Sequence, residues 1–317
     1  MDNNSIKKES KIYVAGHNGM VGSAIIRKLK ELGYHNILSR TIEELDLRDS
    51  HNVNDLFESE KPDYVFLAAA KVGGIYANMT QKAEFLYENI QISTNIIHSS
   101  KVHGVKKLIN LGSSCIYPKE TSYPIKETQL LTSPLEETND AYALAIICAL
   151  KMCQYYNEQY ETNFMTLMPC NLYGTGDNYH PKNSHVLPAL IRKFVEAKEN
   201  NSDEVVVWGT GHVYREFLHV DDLAEACIYL FENKSAIDVN HYINVGSGRE
   251  FTIREIVELV AELTGFQGNI KWDNNKPDGV YRKILDSSNI NDLGWHPKID
   301  LKEGLTKTIQ EFASLNK

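Results

Sequence analysis

Apolar and polar positions along the chain follow two periods in alternation. Residues 11 to 15, Lys-Ile-Tyr-Val-Ala, are a short apolar run that predicts a strand. After a glycine-containing turn, Val21, Ala24, Ile25, Leu29 and Leu32 recur at spacings of three and four, and Gly33 is placed to end that helix. Further strands are predicted at Asn36 to Ser39, Asp63 to Ala70, Leu108 to Gly112 and Phe164 to Pro169, each separated by a helix-length segment. Such alternation implies a doubly wound α/β fold, with a parallel sheet covered on both faces. The stretches Lys82 to Lys101 and Asp140 to Gln159 carry apolar residues on more than one helical face, enough to bury a second face in a dimer.

Beyond Pro169 the pattern loosens into a polar, Gly-rich passage from Cys170 to Pro181, too long for a simple connection. A helix from about Val186 to Lys198, a strand at Val205 to Trp208, a helix from Asp222 to Phe231 and a strand at His241 to Gly246 come next. The tail adds a helix at Thr252 to Thr264, a polar loop through Asp278-Gly279 and a closing helix from Leu301. We find no internal repeat and no low-complexity tract. The expected division is a sheet domain of residues 1–172 and 217–247, with a smaller lobe of residues 173–216 and 248–317.

Composition excludes several classes. The 317 residues are 42% hydrophobic and 24% charged, a globular balance that does not support disorder. No apolar run approaches the roughly 18 to 20 uncharged residues of a membrane helix, and the start lacks a signal-peptide core, so a cytoplasmic location is expected. Five cysteines without a C-x-x-C pair suggest thiols, with neither a disulfide framework nor a zinc ribbon, and no metal is expected. The formal charge of −9 argues against generic binding to nucleic acid or to a membrane surface, so an anionic ligand would need a local basic pocket.

Two passages carry candidate chemistry. A strand feeding Gly16-x-x-Gly19-x-x-Gly22 and then a helix puts backbone amides and the positive helix end against a pyrophosphate, as in a Rossmann-type sheet. At the end of the second strand, where an acidic residue would indicate NAD, stand Ser39 and Arg40, and a cation there suits the 2′-phosphate of NADP. The second passage is Leu111-Gly-Ser113-Ser114-Cys115-Ile-Tyr-Pro118 at the end of the fourth strand, with Tyr142 following at the start of a helix. Carboxyl ends of strands form the ligand crevice of such sheets, so these hydroxyls can face a substrate oxygen.

From Gly16 to about Gln310 the chain resembles the GDP-L-fucose synthase family of extended short-chain dehydrogenase/reductases. The resemblance rests on Ala15-Gly-His-Asn-Gly-Met-Val-Gly22, Ala68-Ala-Ala-Lys-Val-Gly-Gly74, Leu111-Gly-Ser-Ser-Cys-Ile-Tyr-Pro-Lys119 and Asn171-Leu-Tyr-Gly174. It continues through Asn183-Ser-His-Val186, Arg215-Glu-Phe-Leu-His-Val-Asp-Asp222 and Lys276-Pro-Asp-Gly279. It implies epimerisation of GDP-4-keto-6-deoxy-D-mannose at C3 and C5, reduction of the C4 ketone with NADPH, and a homodimer. It also implies that the cofactor lies against Gly16, Asn18, Gly19, Met20, Val21, Gly22 and Ala69, in addition to Arg40. Ser113 and Tyr142 hold the C4 oxygen, with Tyr142 as proton donor, while Cys115 and His185 share the epimerisation roles as base and acid. Asn171, Lys193, Trp208, Arg215 and Lys283 are candidates for the GDP-sugar, with Lys193, Arg215 and Lys283 clamping the pyrophosphate.

One position departs from the family pattern. The family expects Tyr-x-x-x-Lys, and this chain has Tyr142-Ala-Leu-Ala-Ile146. A Lys at position 146 would share a helix face with Tyr142, lower its pKa and reach the nicotinamide ribose, and isoleucine does neither. Two further arginines sometimes expected at the cofactor phosphate are replaced by Asn18 and Ile42. Two other readings stay open: an enzyme that only reduces or only epimerises another GDP-4-keto sugar such as a heptose, and a catalytically silent nucleotide-sugar-binding protein.

Overall fold

The computed structural model describes residues 6–181, 184–276 and 278–315; Asn183 and Pro277 of the motifs above lie outside the described residues. The first half runs β1 (Ile12–Ala15), α1 (Met20–Glu31), β2 (Ile37–Leu38), α2 (Ser50–Glu60), β3 (Tyr64–Leu67), α3 (Ile75–Thr80), α4 (Lys82–Val102), β4 (Lys107–Leu111), α5 (Asp140–Tyr160) and β5 (Phe164–Pro169). The second half runs β6 (Asn171–Tyr173), α6 (Val186–Glu199), β7 (Glu204–Trp208), β8 (Tyr214–His219), α7 (Val220–Asn233), β9 (Tyr242–Val245), β10 (Glu250–Thr252), α8 (Ile253–Thr264), β11 (Asn269–Asp273), β12 (Arg282–Lys283), α9 (Ser288–Asp292) and α10 (Leu301–Leu315).

Six strands form one parallel sheet in the order β2-β1-β3-β4-β5-β9. Every residue of β5 is buried, as expected for a central strand covered on both faces. One face packs α1 and α7 around Ile25, Leu29, Leu223 and Phe231; the other packs α2, α4 and α5 around Phe57, Ile97, Ala149 and Cys153. A separate core, built on Ile191, Phe194, Val257 and Leu305, holds α6, α8 and α10 together beside β7 and β8. Leu285, Ile290 and Trp295 pack instead into the first core, so the chain returns to the large sheet before its last helix.

Differences from the sequence reading fall where elements are short. The run from Asp63 to Ala70 is a strand only as far as Leu67, because Ala68 and Ala69 turn to meet Gly16. The passage after Pro169 contains β6, which pairs in parallel with β8. Strand β8 also pairs with β10 and β12, which makes it the spine of a second small sheet. The predicted helix at Asp222 begins at Val220, where the His219 ring accepts the Asp221 amide and caps it. The helices expected at Lys82 and Asp140 are α4 and α5, and their outward faces leave Tyr87, Leu144, Cys148 and Tyr155 exposed.

Candidate active site

The glycine turn closes β1 onto α1 with little room for a side chain. Gly16 has φ +83°, and a Cβ there would lie 2.7 Å from the Ala69 backbone, so both conformation and space require glycine. Gly22 is pressed against the same turn, where a Cβ would come 2.7 Å from the Gly16 carbonyl carbon. Helix α1 starts at Met20 with no side-chain cap on its first amides and no acidic residue in its first turn. Free N–H groups at a positive helix end, with backbone close by, are the donor set a pyrophosphate needs. Asn18 and Gly19 are exposed at this end, Met20 and Val21 pack partly into the core, and Ala69 faces the turn.

Arg40 follows β2, as a reader of the adenosine ribose must. Its guanidinium donates to the Ser39 carbonyl at 2.9 Å and to Glu60 Oε1 at 2.8 Å. Glu60 is shared with Lys11, 3.0 Å away. A 2′-phosphate at Arg40 therefore competes with an existing half-exposed ion pair, which is a modest cost.

At the far end of β4 the chain turns sharply. Ser113 Oγ accepts the Cys115 amide at 3.2 Å and caps the short 3₁₀ turn Ser114–Ile116, which fixes the thiol beside the serine. Tyr142, in the first turn of α5, reaches the same place: its hydroxyl lies within the electrostatic reach of both Ser113 and Cys115. Phe85 of α4 holds the Tyr142 ring edge-on, with centroids 6.2 Å apart at 82°. Burial, and then Cys115, push the phenol above its ordinary value, while Ser113 pulls the other way. Tyr142 is thus a protonated donor at neutral pH.

At position 146 the structure sets an apolar side chain below Tyr142. Ile146 is buried, one helical turn beyond Tyr142, with Cγ2 3.5 Å from where a Gly112 Cβ would stand. The groups that act on the Tyr142 hydroxyl are burial, Cys115 and Ser113, and none of them is a cation. Lys151, the next Lys on α5, donates to Gln154 Oε1 at 2.9 Å and lies over the Tyr242 ring, so it does not serve in place of a Lys at 146.

The remaining candidates arrive from the second sheet. Strand β12 lies parallel to β8 with Lys283 opposite Arg215, and this register carries the Lys283 ammonium to 3.4 Å from Cys115 Sγ. The residues that follow are stitched down: Ile125 N–H donates to the Ile284 carbonyl at 2.9 Å, and the Asp286 amide to the Ile125 carbonyl at 2.8 Å. His185 stands just before α6 without bonding its first amides, and desolvation and then the Lys283 charge push its imidazole below its ordinary value.

Farther out, Arg215 donates to the Tyr214 carbonyl at 2.7 Å and to the Asp278 carbonyl at 3.2 Å. Asp278 in turn accepts the Thr210 amide and hydroxyl, both at 2.8 Å, which ties the loop after β7 to the Asp278-Gly279 turn. Trp208 stands exposed between Lys193 and Lys276, whose ammonium groups lie 5.6 and 5.2 Å from its ring centroid. Lys193 donates to the Val206 carbonyl at 2.9 Å, and Asn171 Nδ2 to the Glu216 carbonyl at 2.8 Å. The geometry gathers Ser113, Cys115, Tyr142, His185 and Lys283 in one group, and places Lys193, Trp208 and Arg215 in a second.

Sequence reasoning missed several residues. Glu216, fully buried next to Arg215, accepts the Gly248 amide at 2.8 Å and the Leu285 amide at 2.9 Å, so it fastens the segment that carries Lys283. Burial pushes its carboxyl up to about 7. Thr121 Oγ1 and Asn139 Oδ1 are buried without a protein partner and belong to residues lining the cavity beside Cys115, a fit for a hydroxylated ligand. Glu216 and Asp278 fall within quoted motifs, which was the available signal; Thr121 had none.

A family model described as the NAD dependent epimerase/dehydratase family matches residues 12–246, three quarters of the chain. The chain belongs to the NAD dependent epimerase/dehydratase family. Within that family, it is 57% identical to the putative GDP-L-fucose synthase 2 of Arabidopsis thaliana over 97% of this chain and 93% of that protein. Among solved members, a GDP-6-OMe-4-keto-L-xylo-heptose reductase from Campylobacter jejuni superposes with a TM-score of 0.93 at 38% identity, covering 99% of this chain and 100% of that one. The GDP-L-fucose synthetase of Naegleria fowleri bound to NADP superposes with a TM-score of 0.91 at 28% identity, covering 99% and 96%. The glycine turn lies within the matched stretch, as do Ser113, Tyr142 and His185, whereas Lys283 lies beyond it.

Proposed function

We propose that this protein is an NADPH-dependent epimerase/reductase that converts a GDP-4-keto-6-deoxy-mannose-type sugar to GDP-L-fucose. The observation that carries the proposal is the meeting of two kinds of chemistry at the ends of β4 and α5: a Ser113–Tyr142 hydroxyl pair for a ketone oxygen, and a polarised thiol, Cys115, for a carbon-bound proton. The α1 amides and Arg40 would hold NADP(H), which would supply the hydride for C4 when bound. Ser113 and Tyr142 hold the C4 oxygen, and Tyr142 gives its phenolic proton to that oxygen as the ketone becomes an alcohol.

Protons on C3 and C5 flank C4 or are reached through it, so a hydrogen-bonded C4 ketone acidifies them. Cys115 and His185, one on each side of the sugar, exchange these protons and invert the centres. Lys193 and Arg215 offer charge for the diphosphate, and Trp208 a flat surface beside it. This supplies the local basic pocket that a chain of net charge −9 needs for an anionic substrate. The GDP-sugar lobe is built on α6, α8 and α10. A homodimer joined through α4 and α5 fits their exposed apolar residues, and the cytoplasm fits the five free thiols. Among the described residues no helix is long and apolar enough to cross a membrane.

A second reading, reduction alone of a GDP-4-keto heptose, draws on the close superposition with the Campylobacter reductase. The Cys115–Lys283 contact favours the first reading, since a reductase has no use for a thiol set against a cation. Incubation with GDP-4-keto-6-deoxy-D-mannose and NADPH in deuterated water tests both. Deuterium at C3 and C5 together with GDP-L-fucose supports the proposal; reduction without exchange favours the second reading, and no turnover of a bound sugar leaves a silent binder.

A further inference from the structure

The cations near the substrate lobe do not all meet the same kind of partner. Lys193 lies over Trp208 and Arg215 is spent on the Tyr214 and Asp278 carbonyls, whereas Lys283, beside Arg215 on the same sheet face, ends 3.4 Å from Cys115 Sγ. Its direction is fixed by its neighbour: Arg282 is held by a two-pronged ion pair to Glu250, at 2.5 and 2.7 Å, and successive residues of a strand point to opposite faces. Leu285, two residues on, is fastened to the buried Glu216. The Lys283 ammonium is therefore built into the thiol site from both sides.

We propose that Lys283 is a positioning residue for the epimerisation, its ammonium holding Cys115 as the thiolate and so making Cys115 the group that takes the proton from carbon. This rests on the epimerase reading above and replaces the pyrophosphate contact expected for Lys283 from the sequence.

The electrostatics agree with the geometry. Burial alone would push the Cys115 thiol up, but the Lys283 charge and hydrogen bonds with Ser113 and Lys283 overcome it and leave the thiol below its ordinary value. The same ammonium disfavours a charged His185. The other charged or titratable groups around the sulfur are Tyr142 on α5, Tyr117 and Tyr123, the Lys119–Glu136 pair, whose charges lie 3.6 Å apart, and Arg282, which Glu250 already engages. Lys283 is the cation in hydrogen-bond contact with the thiol.

The step balances as follows. The thiolate takes a proton from the carbon beside the carbonyl, an S–H bond forms, and the C–H electron pair moves into an enolate whose oxygen Ser113 and Tyr142 hold. His185, neutral at rest, takes a proton from water as the enolate charge forms and gives it to the opposite face, so a C–H bond forms and an N–H bond breaks. Loss of the thiol proton to water restores the starting state.

The test is the pH dependence of Cys115 alkylation by iodoacetamide in the substrate-free enzyme, followed peptide by peptide, with exposed Cys148 as internal reference. Only the thiolate reacts. In the unmodified protein Cys115 should titrate below Cys148. Lys283→Met should raise its midpoint by about one to three pH units, at least tenfold in rate at pH 7, and Lys283→Arg should restore most of the shift. Lys283→Gln reads the same quantity if the Met variant does not fold. A Cys115 midpoint at or above that of Cys148 in the unmodified protein, or one unmoved by Lys283→Met or Lys283→Gln, overturns the assignment, as does a variant that loses only GDP affinity. Deuterium exchange into the keto sugar keeps the two readings apart: intact exchange with an ordinary Cys115 midpoint removes Lys283 alone, and a low midpoint without exchange removes the epimerase reading beneath it.

Discussion

Replacing Ile146 by Lys isolates what this chain has given up. The new ammonium would enter α5 one turn beyond Tyr142, against Gly112, in a place where Ile146 is now 6% exposed. A cation within about 4 to 6 Å lowers a phenol by roughly one to three units, opposing the burial and the Cys115 charge that now push Tyr142 up. That is about 1.4 to 4 kcal/mol of differential stabilisation of the phenolate. Because general-acid transfer feels only part of such a change, the NADPH-dependent reduction should rise roughly tenfold. NADPH should also bind more tightly. Exchange at C3 and C5, which runs through Cys115 and His185, should change little. The new ammonium loses water and the isoleucine contacts, so the melting temperature should fall. Single-turnover reduction at saturating NADPH, measured for both proteins with their melting curves, decides the matter. If the Ile146 protein already reduces as fast as the Lys variant, Tyr142 needs no cation here and the account of position 146 is wrong.

Arg40→Ala should erase most of the preference for NADPH over NADH, about tenfold in dissociation constant for one charge-assisted contact; equal constants in the unmodified protein would contradict the assignment. Cys115→Ser should abolish exchange at C3 and C5 while leaving some reduction without epimerisation, and Tyr142→Phe should do the reverse, both read by mass spectrometry of the product. Glu216 titrates at about 7 in the fold against an ordinary value of 4.5. The folded state therefore binds the extra proton between those values, and stability should fall as pH rises from about 4.5 to 7, by on the order of 3 kcal/mol. Glu216→Gln should be less stable near pH 5, where it misplaces a donor against the Gly248 or Leu285 amide, and should lack that slope in urea titrations. Leu144→Glu with Tyr155→Glu, on the exposed face of α5, should yield a monomer in sedimentation if that face joins two copies.

The sheet was legible in the sequence because a parallel strand buried on both faces is written as a continuous apolar run, and β1 and β3 are such runs. The glycine turn was legible for a similar reason: at Gly16 no other residue has both the conformation and the space, so backbone geometry is stated directly by residue type. Ser113 and Tyr142 could be named because they stand at a strand end and a helix start, near the crevice, whereas Cys115 took its role from the family resemblance alone. The absence of Lys at position 146 was likewise visible in the helix register.

The second sheet was not legible, since β6, β10 and β12 are two or three residues long and too short to show a period. Their partners are chosen by β8, a strand with charged residues among its apolar ones. Only that pairing decided the direction of Lys283. Read along the chain, it is one cation in a polar loop, equally suited to a phosphate. The parallel register with Arg215, the Glu250 ion pair on Arg282 and the buried Glu216 turn it toward a thiol 168 positions earlier. Local sequence sets which elements form and what their ends carry, whereas the meeting of Lys283 with Cys115 depends on contacts between segments whose separation no short-range pattern encodes.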